Sequence, residues 1–184
     1  MEFIENNRDK RMNALTSEFE EPKNLDPLTE AEWKKVEDIG EEEDKEFLPY
    51  TYRIYANEPN ADNAYQIATT LRNLFQYKMS IPWDEKTLEF EPDDWETKGT
   101  LAYMYSQCEE YEKMITTAES LLEVPKASEP DFRDEIYCML ADANYFKGDI
   151  AMAVLWQERI LKESKNKELL THTRKLKSTW EEFL

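Results

Sequence analysis

A chain of 184 residues with three glycines and a formal net charge of −18 has room for one sizeable core or a short stack of helical hairpins. β-Hairpins, phosphate-binding loops and nucleophile elbows draw on glycine for positive φ, so Gly40, Gly99 and Gly148 leave a helical protein as the natural reading. Residues 1–60 carry 17 acids against 8 bases, 61–130 carry 14 against 6, and 131–184 carry 10 against 9, a field that disfavours nucleic acid and anionic lipid and suits a basic partner or solubility alone.

Residues 1–27 are polar and mixed in charge and end in the breaker cluster EEPKNLDP, which reads as a flexible arm with at most a transient helix around Arg8–Phe19. Charges stand where a signal peptide needs an apolar run, and no window approaches the roughly 18 uninterrupted apolar residues of a membrane span. Cys108 and Cys138 are the only thiols. They show no metal spacing and fall on apolar helical stripes, so buried, inert cysteines in a reducing, cytoplasmic compartment are expected.

A single helical domain is expected over 28–184. Thr29 caps its first helix, Glu32 closes a capping box, and Trp33, Val36 and Ile39 follow at helical spacing until a stop near Gly40. The run EEEDKE then sets acids at a helix N-terminus, ahead of the stripe Phe47, Leu48, Thr51, Ile54 and Tyr55, with Pro49 in the first turn or at a kink. Over 62–78, Ala64, Ile67, Ala68, Leu71, Leu74 and Phe75 recur at i, i+3, i+4 and i+7 and predict a helix. Residues 80–94 lack that period. Ile81, Trp83, Leu88 and Phe90 are therefore expected in one long irregular connection that folds back onto the body or meets a partner.

Further helices are predicted over 95–108 (Leu101, Ala102, Tyr105, Cys108) and 110–124 (Tyr111, Met114, Ile115, Ala118, Leu121, Leu122), with a break at VPKASEP. Another pair spans 131–147 (Ile136, Met139, Leu140, Ala143, Phe146) and 150–164 (Ile150, Ala153, Val154, Ile160, Leu161), where Gly148 ends the first and Asp149 caps the second. A last helix over 166–183 aligns Leu169, Thr173, Leu176, Trp180 and Phe183.

Amphipathic helix pairs joined by two or three residues cannot bury their faces alone, so successive hairpins should stack. Tyr137, Leu140, Ala141, Gly148, Ile150, Ala153 and Ile160 resemble the tetratricopeptide repeat, and Leu101, Ala102, Tyr105, Tyr111, Ala118 and Leu121 in the preceding hairpin resemble it too. The likeness covers 95–165. Glu109 stands where a turn glycine is expected, Met114 and Asn144 replace the usual alanine and aromatic, and the helix at 62–78 has no evident partner. The resemblance implies an all-α, right-handed stack of about three antiparallel hairpins, a first one over 29–57, with a C-terminal capping helix. It also implies a concave groove lined by the first helix of each hairpin, which marks Tyr103, Gln107, Asp142, Tyr145 and Phe146, and further back Tyr65, Thr69, Arg72 and Asn73. Aromatic and amide groups there suit peptide recognition, whereas Tyr145 and Phe146 at this spacing also suit packing on the next hairpin.

No nucleophile with a base, metal constellation or cofactor loop is spelled out, so neither catalytic residue, metal nor cofactor is expected. His172, the sole histidine, reads as a solvated helix residue beside Thr171 and Thr173. Carboxylate pairs are too plentiful to be informative. The expected role is a non-enzymatic protein-interaction scaffold, an adaptor or chaperone, that holds a peptide or helix of a basic protein partner without binding nucleic acid or membrane directly. The alternative is an acidic nucleic-acid mimic that inhibits a DNA-binding protein.

Overall fold

The computed structural model describes residues 22–39 and 44–182. The transient helix expected around Arg8–Phe19, most of the arm over 1–27, the stop at Gly40 and the terminal Phe183 lie outside the described residues. Among those described, nine α-helices follow one another with no strand: α1 (Glu30–Asp38), α2 (Asp44–Asn57), α3 (Ala61–Asn73), α4 (Tyr77–Phe90), α5 (Trp95–Gln107), α6 (Tyr111–Leu121), α7 (Pro130–Lys147), α8 (Ile150–Glu163) and α9 (Lys167–Glu181). A 3₁₀ turn over Pro125–Ser128 precedes α7. Among the described residues, no helix is long and apolar enough to cross a membrane. The chain divides into two compact units, one ending at Pro92 and one beginning at Asp93. Within the first, α2 packs on α3 and α3 on α4; within the second, each helix from α5 to α9 packs on the next.

The capping box at Thr29 forms as the sequence predicts, with the Thr29 side chain accepting from the Glu32 amide. Yet α1 buries no residue, and Trp33 stays 45% exposed. Polar contacts hold it instead. Arg53 of α2 donates to both Glu32 carboxylate oxygens, at 2.6 and 3.1 Å, and to the carbonyls of Asp26 and Pro27. Asn57 donates to the Leu25 carbonyl, so the extended segment before α1 is fastened to α2 by backbone recognition.

Three turns of one geometry set the hairpins. Phe75, Glu109 and Gly148 adopt φ of 60, 61 and 92°. At each, the residue's own amide bonds the carbonyl three back, and the next amide bonds the carbonyl five before it. The distances are 2.9 and 2.8 Å at Phe75 and Gln76, 3.3 and 2.9 Å at Glu109 and Glu110, and 3.0 and 2.8 Å at Gly148 and Asp149. This paired closure satisfies carbonyls that a helix end leaves without partners, and it needs one left-handed residue. Glu109 therefore occupies the turn in place of glycine, and so does Phe75. The predicted helix over 62–78 ends at Asn73 because Phe75 leaves the helical region, and its ring is 51% exposed instead of lying on the buried stripe.

Counting from these residues puts the three hairpins in one register. Seven positions earlier stand Ala68, Ala102 and Ala141, all fully buried. A methyl there lets the second helix approach closely, as the spacing of Ala102 and Ala141 suggested. Five, nine and twelve positions later stand Ser80, Asp84 and Thr87 in α4, Met114, Ala118 and Leu121 in α6, and Ala153, Gln157 and Ile160 in α8, all buried. The long irregular connection expected over 80–94 is thus corrected: α4 runs through it and is the missing partner of α3. Its buried stripe includes serine, aspartate and threonine, so hydropathy shows no period although the helix has one. Pro82 lies inside α4 and Pro49 inside α2.

The core of the second unit joins Leu121, Ile136, Leu140, Ala141, Ala153, Trp156 and Ile160 to Trp180 of α9, against which Leu169 and Leu176 also pack. Thus α9 closes this unit. Ser164 donates to the Asp134 carboxylate at 2.5 Å and Tyr137 to Glu163 at 3.0 Å, tying the end of α8 to α7. Both cysteines are thiols and half-buried, not fully buried as expected. Burial first, then Asp142, Asp134 and Glu135, push the Cys138 thiol up to about 11, which suits an inert side chain.

Two outcomes follow from this geometry. A Cβ at Gly148 would meet nothing within 4 Å, so only the left-handed backbone opposes Gly148→Ala, and urea unfolding should show a loss of about 1 kcal/mol while Glu109→Gly gains up to about 1 kcal/mol. An unchanged Gly148→Ala protein would mean that the turn does not hold the hairpin. The Glu32 carboxyl is held down from 4.5 to about 2, first by its hydrogen bond from Arg53 and then by those from Thr29. A depressed carboxyl stabilises the fold above its ordinary value and loses that contribution as pH falls through the folded one. Between pH 4.5 and about 2 the parent should lose stability more steeply than Glu32→Gln, and NMR titration of Glu32 should give a midpoint near the lower figure.

Candidate interaction surfaces

In each hairpin the first helix turns its alanine side toward the second helix, which leaves its opposite side for other contacts. On α3 the residues marked from the sequence are Tyr65, Thr69, Arg72 and Asn73, and they do not share one fate. Tyr65 and Thr69 line a groove of about 650 Å³ in the first unit, together with Asp62, Asn63, Gln66 and Thr70 of α3, Asp44 and Phe47 of α2, and Ile39. Tyr65 is 43% exposed. Asn73 is exposed and donates to Asp44 at 3.3 Å.

Arg72 behaves differently from its neighbours. Its guanidinium pairs with the Asp84 carboxylate of α4, donates to the Thr69 hydroxyl at 2.7 Å and lies 5.2 Å over the Tyr65 ring. Asp84 has no solvent exposure, and its second oxygen has no hydrogen-bond partner among the described residues. Burial raises the Asp84 carboxyl above its ordinary value, and the charge and hydrogen bond of Arg72 pull it back. The cation marked for partner contact is committed inside the hairpin.

In the second unit, Tyr103 on α5 is 48% exposed, while Gln107, one turn on, is half-buried. On α7, Asp142 is exposed at the surface, although neighbouring atoms remove part of its hydration. That desolvation raises its carboxyl, against the lowering effect of His172. Tyr145 stacks on Trp180 at 4.5 Å and 15°, so its area serves the junction with α9. Phe146 stacks on Tyr111 at 5.7 Å and 17° and meets the Tyr145 edge at 5.5 Å, but remains 63% exposed. A line of four rings thus joins α6, α7 and α9, and Phe146 is its accessible member.

Several lining residues were not among those the sequence marked. Asp62 and Gln66 sit near Tyr65 at helical spacing on α3, and that period was available to find them. Asp44 and Phe47 come from another helix, and Asp84, which pairs with Arg72 without lining the groove, lies on the element read as a loop. Among the described residues, no group of three or more His, Cys, Asp or Glu is placed to hold a metal ion.

Residues 134–167 match the family model of the tetratricopeptide repeat, a segment that covers most of α7, all of α8 and the start of α9. No curated protein matches the chain. The matched hairpin is a tetratricopeptide-type repeat within an all-helical chain; such a repeat implies protein–protein interaction, and repeat domains of this kind are generally non-catalytic.

The Arg72–Asp84 pair generates a stability test. Removing one partner of a buried ion pair strands the other charge, so Asp84→Ala should cost about 3–5 kcal/mol in urea unfolding. Arg72→Met with Asp84→Ala should recover most of that loss, because apolar replacement of both is close to neutral. Equal losses in the single and double variants would mean that packing, not charge, sets the cost.

Proposed function

We propose that this protein is a non-enzymatic interaction scaffold, an adaptor or chaperone, that holds a peptide or helix of a basic protein partner against the first helices of its hairpins. The tetratricopeptide repeat over 134–167 carries this reading, and the shared register of three turns extends its logic to the earlier hairpins. Tyr65, Tyr103 and Phe146 offer aromatic area at low entropy cost, and Asp142, Gln107 and Asn73 add polar contacts beside them. A net charge of −18 favours a partner of opposite sign and speeds its encounter.

Capture from lysate by the tagged full chain, at low and moderate salt, tests the reading. A defined protein should be retained, and Tyr103→Ala or Phe146→Ala should weaken its affinity roughly tenfold or more, the scale of an aromatic hot spot. Retention of nothing specific, or of a partner insensitive to every substitution on these faces, would overturn it. Displacement of the partner by DNA would instead favour a nucleic-acid mimic.

A further inference from the structure

We infer that the groove of the first unit takes a cationic side chain of the partner, a lysine or arginine flanked by an apolar residue, and that Asp84 is a positioning residue for it. The inference rests on the scaffold reading and narrows it to one groove and one chemistry. The groove has an apolar floor in Ile39, Phe47 and Tyr65 and carboxylates at Asp44 and Asp62. Among the described residues that line it, none is basic. A cation with an aliphatic stem meets both needs, because the stem covers apolar surface while the head stays beside the carboxylates.

Arg72 is the cation that would spoil this arrangement. It stands on the same side of α3 as Tyr65 and Thr69, and its charge next to them would compete with an incoming one. Asp84 prevents that by pairing with Arg72 from within the hairpin, and Arg72 in turn fixes the Thr69 hydroxyl and the Tyr65 ring. Packing does not ask for an acid at this position. The equivalent residues of the other hairpins are Ala118 and Gln157, and a buried ion pair is no more stable than an apolar pair of similar volume. A carboxylate without solvent exposure is therefore best understood through what it does for the groove: it pairs with the Arg72 cation and, through Arg72, holds the Tyr65 ring in place.

Two blocked peptides on the frame Ala-Leu-X-Leu-Ala, with X as arginine or as its neutral isostere citrulline, test this on the full chain by NMR titration. The arginine peptide should shift amides around Asp62, Gln66 and Thr69 and bind at least tenfold more tightly than the citrulline peptide. Asp44→Asn with Asp62→Asn should erase that difference. Asp84→Ala should weaken arginine binding while leaving citrulline binding unchanged, a charge-selective loss that a purely structural role would not produce, and Arg72→Met with Asp84→Ala should restore arginine binding. Should Asp84→Ala fail to fold, the paired variant alone decides, with weak binding counting against the assignment. Equal affinity for both peptides, or shifts spread evenly over the acidic surface, would overturn it. A lysate partner lost with Tyr103→Ala but indifferent to Asp44→Asn with Asp62→Asn would leave the scaffold reading standing and remove this inference alone.

Discussion

The left-handed turn between paired helices is the constraint from which the hairpin geometry follows. One residue at positive φ lets two successive amides reach back to carbonyls that the helix end would leave unpaired, and this fixes where the second helix starts. With that start fixed, the alanine seven positions earlier faces a set place on its partner. Close approach of the two backbones depends on both conditions together. Glycine makes the turn cheaply at Gly148, while Glu109 and Phe75 adopt the same conformation against an intrinsic preference, held by the packing of the helices on either side.

Once register is set by the turn, the buried stripe is free to vary in polarity. In α8 it reads alanine, glutamine and isoleucine, whereas in α4 it reads serine, aspartate and threonine. Small polar residues can occupy such a seam because their hydroxyls find carbonyls on their own helix: Ser80 donates to the Tyr77 carbonyl at 2.9 Å and Thr87 to that of Trp83 at 3.0 Å. Asp84 cannot be satisfied locally. Its answer is Arg72 on the facing helix, and the pair connects the interior of the hairpin to the groove on its outer side.

The two units spend their aromatic residues differently. In the first, Tyr52 and Tyr55 meet Trp83 edge to face at 5.3 and 4.9 Å, inside the seam between α2 and α4, while Tyr65 remains at the groove. In the second, Tyr145 stacks on Trp180 and helps α9 cover the core, while Tyr103 and Phe146 keep exposed faces. A ring at helical spacing on the outer side of a first helix is therefore not free by virtue of its position. Whether a later helix reaches it decides.

From the sequence alone, helix followed wherever apolar residues repeat at 3.6: α3 and α5 to α9 were legible, as were the Thr29 capping box, the Gly148 turn and the closeness implied by Ala102 and Ala141. The tetratricopeptide character of the α7–α8 hairpin was legible for the same reason, since its small and large residues fall where the packing needs them. Tertiary structure alone decided that 77–90 is a helix, because its buried stripe is polar and hydropathy cannot report burial that hydrogen bonds and an ion pair make tolerable. It alone decided that Arg72 points inward to Asp84 and Tyr145 to Trp180. Spacing along one helix states which side a residue occupies, and only the neighbouring helix determines whether that side meets protein or solvent.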